Sequence, residues 1–310
     1  MEESKPKRPF WKRIKYSLIY WFTMTLIRLT NIFPRIWVIR FTGFLAWIAY
    51  FIFKDARDIT LSNLKTVYAG EKTDEEVRAL AAKVFEMIGK NAGDIIRGLN
   101  INDLEQLKKI VRIEGEEHLK QAMAKGKGVI AVTGHLGAFE FVGSFLGLAG
   151  YSPLIIGTAL KDERLNRMLI EQRISRGAEA IERGKETIKL VKALKSGRLL
   201  AILIDQDTRV KSRFVNFLGR PAATPIGGTM MAQRTGAAVV PIYITMQPDH
   251  TQLLRIYPEV VLQATSDEEV DLIENTQRIS DTTAHAILEN PEQWVWMHER
   301  WKTRPGEEIR

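Results

Sequence analysis

Val129-Ile130-Ala131-Val132-Thr133-Gly134-His135-Leu136-Gly137-Ala138-Phe139-Glu140 is a short β-branched apolar run that stops at a glycine, presents one histidine and enters a new element. Such runs, bounded by glycines, form buried strands of α/β sheets. The apolar, helix-permissive residues from 136 to 148 then put His135 in a strand-to-helix turn. Turns of this kind lie at the carboxyl ends of strands, where open α/β sheets bind ligands. Glu140 follows five residues later, about a turn and a half into the expected helix, and can fold back towards the imidazole. A carboxylate holding one ring N–H fixes the tautomer and leaves the other nitrogen to take a proton. The adjacent helix N-terminus disfavours a resting imidazolium. The chain has no cysteine and no Gly-x-Ser-x-Gly elbow, so a base without a protein nucleophile points to direct activation of a substrate hydroxyl. The bland reading, a turn histidine that only bonds backbone, stays open on these residues alone.

Working outward, strands are expected at 129–133, 153–156, 199–204, 237–245 and 253–261. Helices are expected near 138–148, 162–176, 185–195, 227–234 and 267–288, the last opening with a Ser266–Glu269 capping box. This alternation predicts a three-layer α/β domain starting near Ile101. Upstream, Thr73 and Glu76 form a capping box, and Val77, Leu80, Ala81, Val84, Phe85, Ile88, Ala92, Ile95 and Ile96 make one helical apolar stripe. Residues 55–68 read as a polar connection. The resulting division is a basic N-terminus and anchor over 1–55, a helical connection over 56–100 and a catalytic domain over 101–310.

The 310 residues carry a formal charge of +8, with 45% apolar and 26% charged residues, as in a folded chain. Placement of the charge is more telling than its total. Residues 1–15 hold six Lys/Arg against two Glu and abut the most hydrophobic region, which suits an anionic membrane surface better than nucleic acid. Segments 17–33 and 36–53 are apolar and aromatic but carry Arg28 and Arg40, and each falls slightly short of the roughly 20 residues of a spanning helix. A tilted span, a helical hairpin, interfacial helices and a buried soluble pair all remain open. A single span with a cytoplasmic N-terminus would strand His135 on the far side of the membrane; the hairpin and interfacial forms would not. The histidines show no metal-ligand spacing, and no metal is expected.

Asp205, Gln206 and Asp207 close a second strand. Arg209, Lys211 and Arg213 then flank Phe214–Gly219, a pattern suited to a ligand with a phosphate and greasy chains, or to a solvated loop. On a predicted helix that also carries Arg176, Asn166 and Arg173 lie seven residues apart and could share a face, and a fixed guanidinium can serve an oxyanion. Near the C-terminus, Trp294, Trp296 and Trp301 interleave with His298, Arg300, Lys302 and Arg304. Such runs suit bilayer interfaces, sugars or bases; alternatively the tryptophans pack beneath the sheet.

Together His135-x4-Glu140, Asp205-Gln206-Asp207 followed by Phe214–Gly219, and the run from Gln293 to Pro305 resemble the late acyltransferases of lipid A biosynthesis, the lauroyl and myristoyl transferases of Gram-negative bacteria. The resemblance covers essentially the whole chain, including Arg57 and Asn63-Leu64. Glu299 departs from it, standing where a second basic residue is expected. The resemblance implies a mixed sheet flanked by helices, as in glycerolipid acyltransferases, with N-terminal membrane-anchoring helices. It implies an inner-membrane enzyme with its catalytic domain on the cytoplasmic face, transferring an acyl chain from acyl carrier protein to a hydroxyl of a lipid A precursor, without metal or organic cofactor. His135 would be the base and Glu140 its orienting acid. Arg173 and Asn166 would serve the oxyanion or acyl donor. Asp205, Gln206, Asp207, Arg209, Arg213, Arg300, Lys302 and Arg304 would be candidate substrate contacts. A lysophospholipid, aminolipid or glycolipid acceptor is the alternative, and a non-catalytic anionic-lipid-binding protein a further one. No nucleic-acid motif is present.

Overall fold

The structure, a computed structural model, describes residues 10–183 and 186–307. Lys5, Lys7 and Arg8 of the basic N-terminus, and the expected helix start at Lys185, lie outside them.

Two apolar helices come first, α1 (Phe10–Ile32) and α2 (Arg35–Ile52). Pro34 precedes α2, and proline cannot continue a helix, which divides the apolar region in two. Residues 55–68 are not a connection: α3 runs Lys54–Val67. Its few apolar side chains fall at helical spacing, with Thr60 and Leu64 buried. The long α4 (Asp74–Gly98) begins in the capping box of Thr73 and Glu76, as the sequence predicts. It packs along α2 and fixes it: Arg35 donates to both carboxylate oxygens of Asp94 (2.7 and 2.5 Å). Gln252, at the sheet's margin, donates to the same carboxylate at 2.9 Å. The N-terminal helices are therefore tied to the sheet by a buried acid with several donors, the only economical way to bury one.

Next come α5 (Leu104–Lys108), β1 (Val111–Glu114), α6 (Glu116–Ala124), β2 (Val129–Thr133), α7 (Glu140–Leu148), β3 (Leu154–Gly157), α8 (Glu163–Ser175), β4 (Glu179–Glu182), α9 (Thr187–Lys195) and β5 (Leu199–Leu203). A hairpin, β6 (Ser212–Phe217) and β7 (Arg220–Pro225), precedes α10 (Gly227–Thr235), β8 (Ala238–Met246), β9 (Gln252–Ile256) and α11 (Glu268–Glu289). Among the described residues, seven strands form one sheet in the order β1-β9-β8-β2-β5-β3-β4. The run β8-β2-β5-β3-β4 is parallel, while β9 returns antiparallel to β8 and carries β1 with it, so the sheet is mixed.

Alternate residues of each strand feed opposite cores, as a pleated sheet covered on both sides requires. Val129, Ala131 and Ala201 pack with Phe141, Val142 and Phe145 of α7 and with residues of α5 and α6. Ile130, Val132, Leu200 and Ile202 pack on the other side with Leu190, Leu194, Met231 and Ile279 of α9, α10 and α11. A third core joins Leu64, Val84 and Phe85 of the N-terminal helices to Phe217 of the hairpin and to Trp294 and Trp296. The capping box expected at Ser266 is replaced by Asp267, whose carboxylate accepts from the Glu269 and Val270 amides.

The pairing of β2 with β5 positions the site. Thr133 is opposite Leu203, so His135 and Asp205, each two residues further on, emerge side by side at the carboxyl ends. From β2 the chain crosses over α7 on one face to β3; from β5 it continues to α10 on the other face and to β8. Chains leaving neighbouring strands for opposite faces open a crevice between them, where doubly wound sheets hold ligands.

Candidate active site

His135 stands in the turn between β2 and α7, and Asp205 holds it. The imidazole Nδ1 lies 2.9 Å from Asp205 Oδ1, and the His135 backbone N–H donates to Oδ2 at 2.7 Å. The Trp294 indole N–H donates to Oδ2 as well, at 2.8 Å. An ionised carboxylate only accepts, so Nδ1 carries the proton and Nε2 is left with its lone pair. Asp205 is fully buried and His135 retains a quarter of its side-chain exposure. The ring packs edge-on against Phe139, centroids 4.9 Å apart.

Glu140 therefore does not take the bracing position that the sequence spacing gives it. The helix α7 begins at Glu140 rather than at Ala138, and its carboxylate accepts two bonds from Arg173 Nη2 on α8 (2.9 and 3.2 Å). An acid at a helix N-terminus facing a guanidinium is satisfied twice over. Its remaining influence on His135 is a small electrostatic one. We predict that Glu140→Gln lowers turnover at least tenfold less than removal of the Asp205 charge, compared side by side in steady-state rates.

Burial alone would depress the His135 pKa, but the Asp205 carboxylate outweighs it and holds the imidazole above its ordinary value. The helix N-terminus, expected to disfavour the imidazolium, does not prevail over this carboxylate. Burial would likewise raise the Asp205 pKa, yet the His135 ring, the Trp294 indole and the His135 amide hold it at about 2. The pair is thus a charged acid and a strengthened base. Arg183, directly after β4, opposes protonation of the ring, and the sequence reading gave it no role.

Behind the pair, the C-terminal run clamps the turn after β5. The Asp207 amide donates to His298 Nε2 (3.0 Å), and Lys302 Nζ donates to the Asp207 carbonyl (3.2 Å). Oδ2 of Asp207 accepts from the Thr303 amide at 2.9 Å. Leu136 bridges to Trp294, and the Gly137 amide donates to the Gln293 carbonyl. Gly137 has φ +59, and a Cβ there would meet the Ile244 carbonyl. Gly137→Ala is therefore expected to destabilise by a few kcal/mol from backbone strain plus collision, read from denaturant midpoints, with the His135 turn displaced.

Other expected contacts are distributed differently. Arg300 is fully buried, donating to the Ala223 carbonyl and Thr224 Oγ1 with its guanidinium 4.6 Å from the Phe217 ring centre, so it holds the hairpin and cannot meet a substrate. Trp294 and Trp296 are fully buried, so of the two readings of the C-terminal run it is the packed one that holds for them. Arg176 is buried, donating to Ile101, Ser144 and Gly98, and burial lowers its pKa to about 10. Asn166 accepts from the Leu160 amide. Arg213 pairs with Glu269 on α11. Gln206 is half-buried, and Arg209, Lys302 and Arg304 are exposed. Among the described residues no group of His, Asp and Glu is gathered to hold a metal ion.

A three-layer α/β domain with an acid-braced histidine at the carboxyl ends of its parallel strands suits group transfer to a hydroxyl, and comparison with known proteins gives the class: an O-acyltransferase. Residues 6–303 match the bacterial lipid A biosynthesis acyltransferase family, and the chain belongs to that family. It is 28% identical to the lipid A biosynthesis lauroyltransferase of Escherichia coli K12 over 76% of each chain. It is 27% identical to the palmitoleoyltransferase of the same organism over 64% of each. To the phosphatidylinositol mannoside acyltransferase of Mycobacterium tuberculosis H37Rv it is 27% identical over 70% of this chain and 68% of that one.

Proposed function

We propose that the protein transfers a fatty acyl chain from acyl carrier protein to a hydroxyl of a lipid A precursor, with His135 as general base. The observation that carries this is the His135–Asp205 pair, which leaves Nε2 unprotonated and basic. Nε2 takes the proton of the acceptor hydroxyl as its oxygen attacks the thioester carbonyl; the tetrahedral intermediate collapses and expels the carrier thiolate, which recovers the proton from the imidazolium. Asp205 stabilises that imidazolium and fixes the ring. Arg173 is the candidate cation for the developing oxyanion.

Membrane attachment is part of the proposal. The outward side of α2 shows Trp37, Phe41, Phe44, Trp47, Phe51 and Ile52, and α1 shows Trp21 and Phe22. α2 is long and apolar enough to cross a bilayer, with only 22% of it buried. Aromatic surface on this scale suits lipid rather than water. Residues 1–55 would anchor the protein to the cytoplasmic face of the inner membrane of a Gram-negative cell, and 101–310 would form the catalytic unit. The mycobacterial relatives support a second reading, in which the acceptor is another phosphorylated glycolipid. Purified protein incubated with labelled acyl carrier protein and either a lipid A precursor or a phosphatidylinositol mannoside is the test. Label in the lipid A precursor supports the first reading, label only in the mannoside supports the second, and label in neither contradicts both.

A further inference from the structure

An open groove of about 940 Å³ runs between α3 and the C-terminal run, bounded by Ser62, Asn63 and Thr66 on one side and Trp301, Lys302 and Arg304 on the other. Arg220 and Pro221 at the start of β7 complete its lining. Clefts of this capacity hold ligands larger than one hexose. Three cations line it, Arg220, Lys302 and Arg304, against two acids, Asp58 and Glu299. The Arg220 guanidinium is ordered over the Trp301 ring, 5.6 Å from its centre, and Lys302 is ordered by its bond to the Asp207 carbonyl. Cations held in place beforehand lose little freedom on meeting a phosphate. On the α3 wall Asn63 donates to the Trp296 and His298 carbonyls and Thr66 to the Ser62 carbonyl, which orders that wall and leaves their oxygen lone pairs to accept from sugar hydroxyls.

The position of the groove selects a lipid over a soluble ligand. Its α3 wall follows directly on α2, and the exposed Phe51 and Ile52 that end α2 and the exposed Phe53 after them lead into Lys54. Its opposite wall bonds Asp207 through Lys302 and Thr303, two residues beyond the acid that braces His135. A headgroup lodged there has its chains beside the apolar helices and lies against the wall that bonds the turn carrying Asp205 and Asp207. We propose that this groove binds the phosphorylated sugar headgroup of the lipid acceptor, an inference that rests on the acyltransferase reading above.

The test compares the full chain with the Arg220→Gln/Arg304→Gln variant, which leaves the Lys302–Asp207 bond in place. Phosphatidylcholine vesicles carry a phosphorylated disaccharide lipid, the same lipid after removal of its phosphate, or phosphatidylglycerol at matched charge. The wild type should prefer the phosphorylated glycolipid over its dephosphorylated form by about tenfold, the effect of one or two charge-assisted contacts. The variant should lose that preference while binding plain phosphatidylcholine as before, and Arg304→Gln alone, on an exposed side chain, repeats the measurement if the pair disturbs folding. A free disaccharide phosphate should compete only weakly; competition as strong as the lipid's would mean a soluble ligand and overturn the lipid assignment. Equal preference in variant and wild type overturns the site, and equal variant-sensitive binding of phosphatidylglycerol overturns the sugar. A protein that shows the preference but transfers no acyl chain contradicts the acyltransferase reading, not the groove. One that transfers chains with the variant's acceptor KM unchanged contradicts the groove alone.

Discussion

His135→Ala is expected to lower acyl-transfer turnover by roughly 10²–10⁴-fold, the contribution of a positioned general base, with the fold intact. The ring touches Phe139 and Asp205 but keeps a quarter of its surface exposed, so little apolar burial is lost. The backbone N–H that binds Asp205 Oδ2 survives the substitution, as does the Trp294 bond. Asp205 loses one of three donors, a cost of about 1–3 kcal/mol for a buried acceptor left short. Circular dichroism and a thermal melt read the fold, and initial rates read the chemistry. An unchanged rate would remove the base from the proposed mechanism.

Asp205→Asn is expected to be as damaging, on the order of 10³–10⁴-fold in turnover, by analogy with loss of the acid from other histidine–acid pairs. Three donors converge on this carboxylate: the imidazole Nδ1–H, the His135 amide and the Trp294 indole. An amide has one oxygen to offer, so its NH2 must face a donor or force the ring into the other tautomer, with Nε2 protonated and useless as a base. The pH dependence follows from the same pair. His135 works as the neutral imidazole, and its pKa is raised, so wild-type activity should fall as pH drops through a limb lying above the ordinary histidine value of about 6.5. Without the carboxylate, burial prevails and the limb moves down. Stability has the opposite sense for the two partners: the raised pKa of His135 stabilises the fold below pH ~6.5 and that contribution fades as pH climbs through the raised value. Asp205, held at about 2, stabilises above its ordinary value of about 4, and that contribution disappears as pH falls towards 2.

The sheet was legible because its buried strands are continuous apolar runs: 129–133 is the strand as predicted, and 199–203 and 238–246 differ at their ends by a residue. The four-residue strands β1 and β4 are too short to show a period. The hairpin escaped notice because its turn is Leu218-Gly219, both with positive φ, where leucine is an unexpected occupant. For α3, the polarity of the segment suggests a connection, although Ala56, Thr60, Asn63, Leu64 and Val67 keep helical spacing.

His135 was legible from its local context, and its partner was not. Glu140 is near in sequence, but Asp205, 70 residues away, becomes a neighbour only through the pairing of Thr133 with Leu203. The one sequence signal is that both residues stand just beyond an apolar strand. Arg300 misled for a related reason: a basic residue among tryptophans looks like surface, yet buried carbonyls of the hairpin needed a donor.

The measurement that bears most directly on the account is the pH profile of kcat/KM for transfer from acyl carrier protein to the lipid acceptor, in wild type and in Asp205→Asn. The wild type should show an acid limb above about pH 6.5, and the slower variant a limb at lower pH. A variant with the wild-type rate, or with its limb in the same place, would contradict a histidine base braced by Asp205.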